Sequence, residues 1–88
     1  MAHFALIKNN YVNEVIVISN DDCDNLPFPE SEPVGQTFIA SLGLTGEWLQ
    51  TSYSGSFRGT YAGIGYTFDG SLGEYGEFVA PPLIEPTV

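Results

Sequence analysis

The sequence predicts one small α+β domain: a mainly antiparallel sheet of about five strands in two hairpins, with one short helix packed on it. Three observations predict it. Two apolar runs, Phe4-Ala5-Leu6-Ile7 and Val15-Ile16-Val17-Ile18, flank the turn-prone pair Asn9-Asn10. Apolar residues then recur at four-residue spacing, Val34, Phe38 and Leu42, between Pro33 and Gly43. Finally, Trp48 to Pro82 holds the only Trp, four of the five Tyr and three of the six Phe, interleaved with most of the glycines. Aromatics supply large buried area and glycines supply turns, and a core built from few residues needs both.

Phe4 to Lys8 is the first strand, and Val15 to Ile18, rich in β-branched residues, is the second. Asn tolerates the left-handed backbone of a tight turn, so Asn9-Asn10 closes an N-terminal hairpin. Ile16 and Ile18 share one face of the second strand, Val15 and Val17 the other. A strand apolar on both faces is expected to be central or covered on both sides. Ser19 to Pro33 is polar, broken by Pro27, Pro29 and Pro33, and reads as a long connection. Pro33 suits the first helical position, with Ser31 or Glu32 before it as a cap. The helix is expected over Pro33 to Leu42, docking on its Phe38 face, with Ile39 widening the stripe and Gly43 stopping it.

Glu47 to Tyr53 is the third strand, and Ser54-Gly55-Ser56 has loop composition. Tyr61 to Phe68 is the fourth, with Gly63 and Gly65 marking a bulge or a close neighbour. Asp69-Gly70 signals a hairpin, and Glu77 to Ala80 is the fifth strand, ended by Pro81-Pro82. The tail, Leu83 to Val88, is expected to strap across the domain or to reach a partner. Residues 1–88 contain no repeat and are expected to form a single domain.

Charge narrows the partners. Lys8 and Arg58 stand against eleven carboxylates, a net charge of −9. Phosphate binding needs several Lys or Arg, so nucleic acid is not an expected partner, and an anionic membrane surface is disfavoured for the same reason. No apolar run reaches the length of a transmembrane helix, and Met1-Ala2-His3-Phe4 does not resemble a secretory signal. The single Cys23 cannot form an internal disulfide. A domain of this length buries roughly 60–65% of its unfolded surface, so association with copies of itself or with another protein would add to a modest stability.

Candidate chemistry is sparse. Asn20, Asp22 and Asp24 alternate as in the first half of a calcium loop, but Asn25 stands where such a loop needs Gly, and Pro27 and Pro29 interrupt it. A solvated turn is the better reading, and no metal or cofactor is expected. His3 and Cys23 would make a nucleophile and base only if the thiol were activated, and its acidic neighbours raise a thiol pKa. Glu74 and Glu77 flank a glycine loop with no sign of a cleft, and Gly63-Ile64-Gly65 lacks the Lys and the helix of a phosphate loop. No catalytic residues are assigned and no enzyme is expected. The Tyr, Ser and Gly content of Tyr53 to Tyr75 is also the composition of adaptable binding loops.

Several phrases resemble a family of short proteins encoded by tailed phages of marine cyanobacteria and related marine viruses. They are Met1-Ala2-His3-Phe4-Ala5, Val15-Ile16-Val17-Ile18-Ser19-Asn20, Trp48-Leu49-Gln50-Thr51-Ser52-Tyr53 and Tyr61-Ala62-Gly63-Ile64-Gly65-Tyr66-Thr67-Phe68-Asp69. The aromatic-X-X-Pro-Pro close at Phe78-Val79-Ala80-Pro81-Pro82 is similar too, and Gly65 to Pro82 resembles an end module of small phage tail-associated proteins. The chain departs from the family in keeping only Arg58 where members carry a more basic loop, and in stopping at Val88. The resemblance implies a particle component, present in the virion and in the host cytoplasm before assembly.

The expected function is therefore non-enzymatic: a structural or accessory phage protein attached to tail or capsid through protein contacts, with self-association among them. The contact residues expected are Tyr61, Tyr66, Tyr75 and Phe78, with Leu83 and Ile84 from the tail. The alternative is a small acidic module that captures a host protein, in the manner of an inhibitor, steered by its carboxylates to a basic surface.

Overall fold

Asn9 and Asn10 both adopt left-handed backbone, with φ of 53° and 69°. Such a two-residue turn matches the twist of the strands it joins. It links β1 (Ala2–Lys8) to β2 (Tyr11–Ile18), and the hairpin predicted from the sequence is present. The computed structural model describes residues 1–81. A 3-10 turn over Asn20–Cys23 follows β2, then α1 (Ser31–Ser41), β3 (Glu47–Thr51), β4 (Thr67–Asp69) and β5 (Glu77–Val79). The five strands form one antiparallel sheet in the order β3-β1-β2-β4-β5, the α+β architecture the sequence predicts.

β2 is the middle strand of the five, as expected, but β1 is the strand paired on both sides along most of its length. β1 pairs along its length with β2 and from His3 to Ile7 with β3. β2 meets β4 at Tyr11↔Thr67, supported by the backbone bonds Val12 N–H to Tyr66 O (2.7 Å) and Gly65 N–H to Val12 O (2.9 Å). The register slips between Leu6 and Ile7, so Asn13 is an extra residue on β2. This bulge absorbs one position and keeps both apolar sets of β2 aligned with those of β1. Ile16 and Ile18 then face one core and Val15 the other, while Val17 is 47% exposed.

One core lies under α1: Ala2, Phe4, Ile18, Cys23, Ile39 and Trp48, with Leu6, Ile16 and Phe38 against it. The helix begins two residues before the expected start, and Pro33 sits in the first turn, where its missing N–H has no intrahelical acceptor to lose. Its buried face is Ser31, Gly35 and Ile39; Phe38 is half-buried and Leu42 is exposed. The docking stripe is therefore turned about one position from the predicted one. Gly35 is the cause. A Cβ there would overlap the Phe4 ring, so the bare helix backbone is what seats on the sheet. An apolar count cannot see a contact made by a residue with no side chain. Within this core Trp48 Nε1 has no hydrogen-bond partner among the described residues.

The opposite face of the sheet is covered by loop. Ala5, Ile7, Val12, Ala62 and Phe78 form the second core, joined by Val15, Leu49, Tyr66 and Phe68. The fourth strand is only three residues long, because residues 61–66 leave extended pairing to cross this face. Thr51 Oγ1 accepts the Ala62 N–H at 2.9 Å and fixes the crossing. Asp69 turns the β4–β5 hairpin as expected: its Oδ1 accepts both the N–H (2.9 Å) and the Oγ–H (2.6 Å) of Ser71. These two bonds hold the Asp69 carboxyl below its ordinary pKa.

Candidate functional site

The most developed surface feature lies where the start of β1 meets the end of β3. His3 pairs with Thr51 in register, and the chain beyond Thr51 turns back over the imidazole. His3 stacks on Tyr53 at 5.6 Å between ring centroids, and Tyr61 meets it edge-on at 5.5 Å. Tyr53 and Tyr61 close the triangle at 5.2 Å. Tyr53 remains 74% exposed, so a large aromatic face is fixed in place yet offered to solvent. Burial, and then the neighbouring N-terminal amine, lower the His3 pKa from 6.5, which keeps the ring neutral at pH 7.

Beside the rings is a recess of about 290 Å³, lined among others by Met1, Gln50, Ser52, Ser54 and Phe57. Ser52 Oγ organises its rim. It lies 2.8 Å from Ser56 Oγ and 3.2 Å from Ser54 Oγ, and accepts the Ser56 N–H at 3.0 Å. No Asp, Glu, Lys or Arg lines the recess, in a chain with eleven carboxylates. It presents aromatic faces, hydroxyls, an amide and the His3 imidazole.

A clasp centred on Arg58 holds this loop from beneath. Residue 58 has left-handed backbone (φ 56°), and its side chain is only 7% exposed. The guanidinium forms a bidentate ion pair with Glu32 of α1. Its Nη1 also donates to Gln50 O at 3.0 Å, and its Nε to Tyr75 O at 3.1 Å. Phe28 and Phe68 lie 5.1 and 5.4 Å from it. Phe28 in turn stacks on Phe57 at 3.8 Å and meets Tyr75 edge-on at 5.0 Å. One arginine thus joins the helix, the β3 edge and three loops.

The expected contact residues separate in the fold. Tyr61 is half-buried in the aromatic triangle, and Tyr75 is 39% exposed beside Phe28. Tyr66 is half-buried against the second core. Phe78 is 3% exposed and packs at 5.2 Å on Phe68, so it is a core residue rather than a contact residue; its place at the centre of β5 turns it inward. Leu83 and Ile84 lie outside the described residues. Sequence reasoning missed Tyr53 and His3 as a pair, although the register of two strands that begin and end with aromatics could have found them.

The weaker candidates do not assemble into sites. Asn20 and Asp22 fall on the 3-10 turn, with Asp24 left-handed at its end, so the alternation of a calcium loop is not converted into convergence. Among the described residues no group of three or more His, Cys, Asp or Glu is placed to hold a metal ion. Cys23 is buried in the helix-side core, whereas His3 faces the loop side. Burial, then Asp22 and Asp24, push the Cys23 thiol pKa up. No protein-family model, curated protein or solved structure matches the chain.

Proposed function

We propose that this protein is a non-enzymatic accessory component of a phage particle, attached to tail or capsid by docking its aromatic surface on another protein. The observation that carries the docking part is Tyr53, highly exposed yet held by two other rings beside a recess without charged side chains. Fixed aromatics of this kind bind at low entropic cost and are typical binding anchors. The particle part rests on the resemblance of the quoted phrases to short marine-phage proteins. The test is co-sedimentation of the tagged chain with particles of the phage that encodes it. Wild type should co-sediment, and Tyr53→Ser should lose about tenfold or more in affinity. Equal binding of the variant would remove the aromatic surface, and no binding of wild type would remove the particle.

A second reading, capture of a basic host protein, has one observation in its favour. Arg58 is withdrawn into the Glu32 clasp, which leaves Lys8 as the exposed one of the two Lys and Arg residues. The surface is therefore more uniformly acidic than composition alone states, and such a surface steers association with a basic partner. Pull-down from host lysate would recover a partner at low salt and lose it at high salt.

A further inference from the structure

We propose that the outer edge of β2, from Glu14 to Ile18, pairs antiparallel with the same edge of a second copy, joining two sheets into one. This goes beyond the docking reading by adding a second interface and naming its partner. It rests on a different surface from the aromatic recess, so either can fail alone.

The direction of each backbone group follows from the turn. A two-residue hairpin makes Lys8↔Tyr11 a hydrogen-bonded pair, so the groups of Val12 point outward. They do: both bond across to Gly65 and Tyr66. The bulge absorbs Asn13, and the alternation resumes with Glu14, Ile16 and Ile18 bonded to β1. The N–H and C=O groups of Val15 and Val17 then point away from the sheet. Among the described residues, no backbone or side-chain group bonds to them.

This edge lacks the usual protection. Natural edges carry Lys, Pro or inward charges that block pairing, and Val15-Ile16-Val17-Ile18 carries none. The exposed Val17 makes it a good pairing surface on the loop side as well.

Two features select a second copy as the occupant. First, the open window is bounded. Val12 is already taken by residues 65 and 66, and β2 ends at Ile18 before the 3-10 turn. The five residues between the bulge and that end are centred on Ile16, so a two-fold axis there uses the whole window and closes on itself. Val15 then exchanges bonds with Val17 of the other copy, and Ile16 meets Ile16. Second, the charges fit. The window's one carboxylate, Glu14, falls opposite Ile18, so two chains of net charge −9 meet without opposed carboxylates. Side chains directly opposite share a face, so the helix-side rows of the copies become continuous, as do the loop-side rows.

Light scattering after size exclusion tests this. Wild type should give twice the 9.5 kDa chain mass, more completely at high salt, where repulsion is screened. Val17→Pro deletes an N–H that points out of the sheet, so it removes no bond within the chain. It should stay folded by circular dichroism and weaken the dimer about tenfold or more. Val17→Thr keeps the N–H and should remain dimeric. In wild type, amide exchange at Val15 and Val17 should slow with protein concentration. A monomeric wild type at high concentration and high salt overturns the proposal. So does a Val17→Pro dimer as tight as wild type, or exchange at these two amides that ignores concentration.

Discussion

Two uncovered strand edges, that of β3 and that of β2 beyond its short pairing with β4, are finished in opposite ways. On β3, the outward groups are taken by side chains. Glu32 Oε2 accepts the Gln50 N–H at 2.7 Å, Arg58 donates to Gln50 O, and Gln36 Nε2 donates to Trp48 O at 2.6 Å. On β2, the outward groups of Val15 and Val17 have no such partner among the described residues. An edge strand invites pairing unless something blocks it. The chain spends its single arginine and two residues of its helix to block one edge, and puts neither charge nor proline along the apolar run of the other. The difference teaches that this chain guards an edge with side chains where it guards one at all, and leaves the apolar run of β2 bare.

The largest test breaks the closed flank. Arg58→Ala strands the Glu32 carboxylate and frees the Gln50 carbonyl on the β3 edge. Removing one partner of a buried pair costs about 3–5 kcal/mol, so the melting temperature should fall by more than about 10 °C. With the β3 edge partly opened as well, the variant should also form species larger than a dimer. Arg58→Met with Glu32→Leu removes both charges, and should recover much of the melting temperature while leaving the excess association. Recovery of both properties would show that the ion pair sets stability and does not guard the edge.

The seat of α1 comes next, because the helix carries Glu32 and Gln36 to β3. Gly35→Val drives a side chain into the Phe4 ring, and overpacking of this kind costs about 1–3 kcal/mol by chemical denaturation. Gln36→Ala is smaller: it leaves the Trp48 carbonyl without its donor, for about 1 kcal/mol. The corresponding open-edge change, Val17→Thr, should alter monomer stability by no more than about 0.5 kcal/mol.

The smallest effect is acid sensitivity where β1 meets the end of β3. Because the His3 pKa is lowered in the fold, the unfolded chain binds the proton more readily. Stability should be intact above pH 6.5 and decline as pH falls from 6.5 through the folded pKa. His3→Gln should flatten thermal melts over that window.

The elements with strong local rules were legible in the sequence. Asn9-Asn10 announced its turn, Asp69-Gly70 announced another, and the alternation of β2 survived the bulge. What stayed hidden depended on contacts between distant residues. Tyr61 to Phe68 has strand composition, yet most of it crosses the loop-side core, because Thr51 and Val12 capture its backbone. Gly35 carries the helix contact while contributing nothing to an apolar stripe. Arg58 read as a remnant of charge, whereas its partners lie 26, 17 and 8 residues away. The aromatic triangle needed strand order, since His3 reaches Tyr53 only because β1 lies beside β3.

The clasp also makes the chain a reporter of its own opening. A protease that cuts after Lys and Arg has two target residues here, Lys8 and Arg58. Lys8 sits exposed at the mouth of a hairpin; Arg58 cannot enter a protease subsite until Glu32, Gln50 and Tyr75 release it. When cleavage is slow relative to reclosing, each rate follows the population of its open form. Two fragment patterns on one gel would then separate fraying of the first turn from release of the clasp, with no label or mutation.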